Sequence, residues 1–204
     1  VVLANKKPLA GSAAGAEALL ALARTHGRRL RHEATVGAGL PVMDTFAKLL
    51  ETGDEVLSIE GCLSGTLGFL LSELERGNAF SDALRAAMDK GFTEPDPRDD
   101  LSGADVARKA LILGRLMGFS GEPGSVVTES LVPPDARALP LKQFLARLGS
   151  WDEHFARKVR EAQQAGKVLR YVATVSTRRL RVGLTAVSPA GPFAALKGTD
   201  NQIV

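Results

Sequence analysis

The sequence predicts an α/β (α+β) chain, and three observations carry that prediction. A short apolar run, Val1–Ala4, leads into the helical pattern AAGAEALLALARTHG, the strand-then-helix grammar of an open, doubly wound sheet. ADVARKALILGRLMGF is apolar around most of its circumference, as a helix sunk in the protein is. KVLRYVATV and LRVGLTAVSP then alternate about STRR, a hairpin expected at a sheet edge.

Taken in order, Asn5, Lys6 and Lys7 fall at the carboxyl end of the first strand, which is expected to be buried. That is where an open α/β sheet meets its ligands, so Lys6 either meets one or stands in solvent. Pro8 and the Gly11-Ser12 pair break the chain before the first helix, which Gly27 closes. LRHEATVGAGLPV reads as a strand, a turn at Gly37-x-Gly39 and a helix opened by Pro41. It imitates a dinucleotide loop, but Val42 stands where G-x-G-x-x-G needs its third glycine. The turn either aims carbonyls near Glu33, as an oxygen-only site for a hard cation, or is a plain corner.

PVMDTFAKLLETG is an amphipathic helix and DEVLSIEGCLSG a strand. SGTLGFLLSELERG starts a helix at Ser64 or Thr66, its free amides suited to an anion. AFSDALRAAMDKG adds a helix capped by Ser81, and VVTESLVPP a strand stopped by two prolines. LKQFLARLGSWDEHFARKVREAQQAG gives two helices broken near Ser150. PFAALKGTDNQIV turns at Gly198–Asn201 into a last strand.

The chemistry concentrates in GFTEPDPRDDLSGADVARK, which carries Glu94, Asp96, Asp99, Asp100 and Asp105 and ends on Lys109. Pro95 and Pro97 push their predecessors into extended conformations, so the acidic run is expected as a stretched loop. Ser102 offers an N-cap to the next helix, with Asp105 as reciprocal partner. Lys109 lies one turn after Asp105, flanked by Leu113 and Leu116 at the margin of the buried face. Such a lysine is either poised for proton transfer or half of a structural ion pair. A rival chemistry groups Asp96, Asp99 and Asp100 as ligands of a magnesium-dependent hydrolase.

At 45% hydrophobic residues the chain can bury a sizeable core, as one domain or one and a half. A net charge of +3 and 5% aromatics give no case for nucleic acid as a partner. The basic run RRLRH at Arg28–His32 reads as a solvated strand entrance. No apolar run is long enough to cross a bilayer, so no membrane partner is expected. Cys62 is the sole cysteine, expected as a buried structural thiol and consistent with a reducing, cytoplasmic location. VVLANKK reads as a junction in mid-protein, so the chain is expected to be a fragment.

Several motifs then occur in one order: ANKK ending at Lys7, HEATVGAGLP at His32–Pro41, SGT at Ser64–Thr66, KGFTEPDPRDDLSGADVARK ending at Lys109, and LKGTDN at Leu196–Asn201. Together they make the chain resemble homoserine dehydrogenases, alone or fused to an aspartate kinase. The resemblance implies hydride transfer between a nicotinamide cofactor, NAD or NADP, and homoserine or aspartate 4-semialdehyde, in threonine and methionine biosynthesis. It implies a mixed β-sheet flanked by helices and a homodimer. Residues 1–30 would be the remnant of a nucleotide-binding domain, and residues 31–204 the substrate-binding and dimerisation domain.

Residue by residue, the resemblance makes Lys109 the proton-transfer group, with Asp100 beside it to orient it. It makes Glu94 and Asp105 the carboxylates for the substrate amine. Lys6, Gly91 and Gly198 would lie near the cofactor, and Glu33 with the carbonyls of Val36, Ala38 and Leu40 would hold sodium or potassium. Two departures stand out: Phe92 where many relatives carry tyrosine, and Ser64 in place of an asparagine. The pyrophosphate-binding segment would lie before Val1, so the fragment alone is expected to be a poor enzyme. A non-catalytic dimerisation module is the remaining rival.

Overall fold

The computed structural model describes residues 1–204. The helices are α1 (Lys7–Ala10), α2 (Ala13–Thr25), α3 (Val42–Glu51), α4 (Gly65–Glu75), α5 (Phe80–Asp89), α6 (Arg98–Leu101), α7 (Ala104–Leu116), α8 (Leu141–Ala146) and α9 (Asp152–Gln164). The strands are β1 (Ile59–Cys62), β2 (Val127–Thr128), β3 (Val168–Val175), β4 (Leu180–Val187) and β5 (Gln202–Ile203). They form one mixed sheet in the order β2-β4-β3-β1-β5, with only the β2–β4 pair parallel.

The sheet is two-faced because side chains alternate along a strand. Tyr171, Ala173 and Val175 of β3, with Leu180 and Val182 of β4, join the main core. Against them pack α4, α7 and α9. Val172 points the other way, into a small cluster with Cys62 and Phe193. The hairpin is therefore central rather than at an edge: β3 has β4 on one side and β1 on the other. Local alternation reveals a hairpin but not what pairs beyond it.

Other expectations are corrected by contacts that a local pattern does not show. Val1–Ala4 is no buried strand. It makes a single parallel bridge, Val2 to Arg31, and Val1 and Val2 are exposed because nothing packs over them. The strand expected after Arg31 gives way to a 3-10 turn, Glu33–Thr35. Helix α5 starts after Ala79, and Ser81 is not its cap. Instead Asp152, from the first turn of α9, accepts the Ser81 amide at 2.7 Å and hydroxyl at 2.9 Å.

The acidic run is part helix. The Asp96 side chain accepts the Arg98 amide at 3.0 Å, and Pro97 sits at φ −64°, already helical, so one turn forms at once. Ser102 belongs to the end of that turn and is not the N-cap of α7. The cap position is Gly103, at φ 73°, the left-handed region that reverses the chain within two residues. A Cβ there would lie 2.0 Å from the Tyr171 hydroxyl, which donates to the Glu129 carbonyl at 2.6 Å. Gly103→Ala is accordingly expected to cost about 2–3 kcal/mol of unfolding free energy. Gly118→Ala, left-handed too but with open space, should cost only about 1 kcal/mol. Urea unfolding measures both; equal costs would show that Tyr171 is indifferent to the added methyl.

Candidate active site

Asp105 is the second residue of α7, and one turn later Lys109 points back along the same face. Their Oδ2 and Nζ are 3.0 Å apart. The other oxygen, Oδ1, lies 3.3 Å from Lys6 Nζ and 3.3 Å from Arg108 Nη2. Lys109 Nζ also donates to the Leu63 carbonyl at 2.6 Å, at the junction of β1 and α4. Its side chain is only 17% exposed, against 39% for Asp105 and 27% for Lys6. Burial by itself raises the Asp105 carboxyl, but Lys109 and then Lys6 outweigh it and hold the carboxyl below its ordinary range.

Beside this cluster opens a polar cleft of about 400 Å³ lined by Lys6, Ser64, Glu94, Asp99, Asp100 and Asp105, among others. Glu94 and Asp99 form no ion pair within the chain and line the cleft as exposed carboxylates. A larger groove of about 510 Å³ runs between α3 and β5, but nine of its fourteen lining residues are hydrophobic. It brings together no set of convergent charged groups, whereas the polar cleft does. Recognition chemistry favours the polar cleft.

Asp100 makes its hydrogen bonds to neither lysine. Its Oδ2 accepts the Glu94 amide at 2.8 Å, and its Oδ1 lies 3.1 Å from the Thr66 hydroxyl, which also donates to the Phe92 carbonyl. Asp100 thus ties the Glu94 loop to α4. Ser64 is the N-cap of α4, accepting the Leu67 amide at 3.2 Å. Phe92 packs edge-on against Phe69 with ring centroids 5.2 Å apart. Gly91 and Gly198 are both left-handed, at φ 69° and 58°. The carbonyl of Gly198 lies 3.0 Å from where a Cβ on Gly68 would sit, so the Lys197–Asn201 turn is pressed onto α4.

Glu33, Val36, Ala38 and Leu40 do not line the cleft. The Glu33 carboxylate caps α3, accepting the amides of Met43 at 2.8 Å and Asp44 at 3.1 Å. The hydrolase grouping fails on geometry. Arg98 Nε is 2.9 Å from Asp96 Oδ1, Asp100 is engaged as above, and no three acidic, His or Cys side chains converge on one point. Cys62 is buried, and burial pushes its thiol up to about 11, against a smaller opposite pull from Arg170, which favours the unreactive thiol form.

Two partners in the site are not singled out as such by the sequence reading, the Leu63 carbonyl and the Thr66 hydroxyl. The Leu63 carbonyl is backbone, and any sequence could supply it. Thr66 did leave a signal, since it follows the N-cap of a helix that starts directly after a strand.

Asp105 carries a pH signature. In the unfolded chain it titrates near 3.8, and in the fold lower. A depressed carboxylate contributes stability that is present in full above the unfolded value and lost as pH falls through the folded one. The stability gap between the native protein and Asp105→Asn should therefore be flat from about pH 8 to about pH 5 and shrink towards about pH 2.5. Denaturant unfolding across that range measures it, and a gap that persists undiminished in acid would exclude the ionised carboxylate as its source.

Comparison with known proteins agrees with the motif order. Residues 41–204 match the homoserine dehydrogenase family. The chain is 43% identical to a chloroplastic bifunctional aspartokinase/homoserine dehydrogenase of Zea mays, over 100% of this chain and 22% of that protein. It is 41% identical to homoserine dehydrogenase of Saccharomyces cerevisiae, over 98% of this chain and 57% of the relative. A crystal structure titled putative homoserine dehydrogenase, from Archaeoglobus fulgidus, superposes with TM-score 0.80 at 29% identity, covering 100% of this chain and 56% of that one. The chain thus spans little more than half the length of the single-function relatives and about a fifth of the bifunctional one. With the acidic stretch, the lysine pair and the fold all in place, the chain belongs to the homoserine dehydrogenase family.

Proposed function

We propose that the polar cleft serves homoserine dehydrogenase chemistry, with Lys109 moving the proton. The observation that supports this most directly is the way Lys109 is held. An ammonium has three N–H donors. Asp105 and the Leu63 carbonyl lie 3.0 and 2.6 Å from its nitrogen, and we assign its third N–H to a substrate oxygen reached through the cleft, which Asp105 lines and Lys109 itself does not. As the aldehyde carbon of aspartate 4-semialdehyde gains a hydride, its oxygen takes the proton from Lys109; in homoserine oxidation the proton returns. Glu94, lacking an internal partner, supplies the charge for the substrate ammonium, and Asp105 adds to it while fixing both lysines. Lys6, on the far oxygen of Asp105, lies where it can steady the reacting oxygen.

A nicotinamide cofactor, when bound, supplies or accepts the hydride. Lys6, which lines the cleft, would face its nicotinamide end; Gly91 and Gly198 do not line the cleft, and their place near the cofactor rests on the family resemblance. The choice of NAD or NADP belongs to a pyrophosphate- and ribose-binding segment that residues 1–204 do not carry. A homodimer, a place in threonine and methionine biosynthesis and a cytoplasmic location complete the proposal. They rest on the family resemblance and, for the last, on a single buried thiol. The dimerisation-module reading leaves the uncompensated Glu94 and the tethered Lys109 without a purpose.

Lys109→Ala in the full-length protein is expected to lower turnover by about two to four orders of magnitude, the usual worth of a positioned acid or base. The Michaelis constant for homoserine should change far less. Near-normal turnover with a raised Michaelis constant would make Lys109 a binding residue instead.

We also propose that the corner at Glu33–Leu40 holds a sodium or potassium ion. The carbonyls of Val36 and Ala38 accept no hydrogen bond from the protein, and the left-handed Gly37 and Ala38 let them converge. The Leu40 carbonyl accepts the Val42 amide at 2.9 Å, and the Glu33 carboxylate keeps lone pairs beyond its two helix amides. One carboxylate with neutral carbonyls suits a single positive charge. The role is structural, fastening the entry to α3. Thermal midpoints should be higher in sodium or potassium than in a bulky organic cation at equal ionic strength; identical midpoints would leave only a capped helix.

A further inference from the structure

Helix α7 is fastened to the amino-terminal segment at both ends. At its start Asp105 holds Lys6 at 3.3 Å. Ten residues on, roughly 15 Å along the axis, stands Arg115. It donates from Nη1 to the Leu9 carbonyl at 2.6 Å, and from Nη2 to the carbonyls of Gly11 at 2.8 Å and Gly121 at 3.2 Å. Beside it the Glu122 carboxylate accepts the Ala13 amide at the first turn of α2, 3.2 Å from each oxygen. Arg115 and Glu122 close around residues 9–13 from one side.

The arrangement is costly where it need not be. Arg115 Nε is buried with no hydrogen-bond partner in the protein. An unanswered buried donor is destabilising, because it gives up its water without a replacement. What this guanidinium achieves is geometric: a rigid planar fork sets two carbonyls, those of residues three and five positions after Lys6, at fixed places on α7. Leu9 and Ala10 are buried and set the depth of α1, but apolar contact alone resists sliding poorly. Lys6 immediately precedes α1, so any slide of α1 carries Lys6 away from Asp105.

We propose that Arg115 is a positioning residue for Lys6, holding α1 in register on α7 so that Lys6 meets Asp105 at the cleft. The inference rests on the role given to Lys6 above. The test is a double-mutant cycle on the full-length enzyme. Arg115→Lys, which keeps the charge and loses the fork, is expected to lower kcat/KM for homoserine about tenfold by misplacing Lys6. In a Lys6→Met background the same change should produce no further fall. Equal falls in both backgrounds, or none in either, would overturn the inference. A Lys6→Met variant with normal kinetics would instead overturn the role of Lys6 itself, and the inference with it. A second measurement needs no turnover: acetylation of the cofactor-free protein, read by mass spectrometry. Lys6 should react several times faster in Arg115→Lys, with Lys109 and the exposed Lys167 unchanged. A matching rise at Lys109 would report general loosening and overturn the proposal.

Discussion

The site depends on a single carboxylate shared among cations. Lys6, Arg108 and Lys109 all reach Asp105 within 3.3 Å. Each attraction is worth on the order of 4 kcal/mol at the effective dielectric of a protein surface, and less with solvent this close. The cations repel one another, and the shared carboxylate offsets that repulsion. Lys109 is the one least able to leave, being the most buried of the three. It also sits near a helix amino terminus, where the backbone dipole disfavours a cation. The Leu63 carbonyl and Asp105 offset that, which explains why the lysine is bonded from two sides.

The cluster is only as well placed as α7, and α7 is set by what two glycines lack. At its start Gly103 lies against Tyr171 of β3, and near its end a Cβ on Gly114 would come within 2.8 Å of Leu180 Cδ2 of β4. The helix therefore rests on the sheet at backbone distance at both ends. Between them Val106, Ala110, Leu111 and Leu113 are essentially fully buried. Sheet, helix and site are one packing problem, and stability changes at the glycines report on the same geometry that carries Lys109.

How much of this the sequence discloses follows from the range of each interaction. The Asp105–Lys109 pair was legible because four residues on a helix is a local spacing. So were α2 and α4, whose patterns and caps lie within a turn of their ends, and α9 by its pattern alone. What escaped depends on distant partners. Ser81 reads as a cap because nothing near it reveals Asp152, seventy-one positions away. Ser102 reads as the cap of α7, but the Asp96–Pro97 start of α6 leaves it still helical, and Gly103 then turns the chain. The central position of the hairpin needed β1, more than a hundred residues earlier. Asp100 was recognisable as a site residue only through resemblance, and its partners, the Glu94 amide and Thr66, required the fold.

A reversible proton transfer places opposing demands on its lysine, and the geometry meets both. The group must be held near the reacting oxygen, since misplacement by an ångström is costly. It must also keep a donor free, so it cannot be enclosed by carboxylates. One carboxylate and one backbone carbonyl satisfy the two demands at once. A second carboxylate on Lys109 would strengthen the charged form and make the proton harder to release. The structure keeps the remaining acids away from it: Asp96 faces Arg98, Asp100 faces Thr66 and an amide, and Glu94 faces the cleft. The acidic stretch is therefore best understood as separate carboxylates, some held by partners within the protein and Glu94 left to the cleft, rather than as a single pool of negative charge.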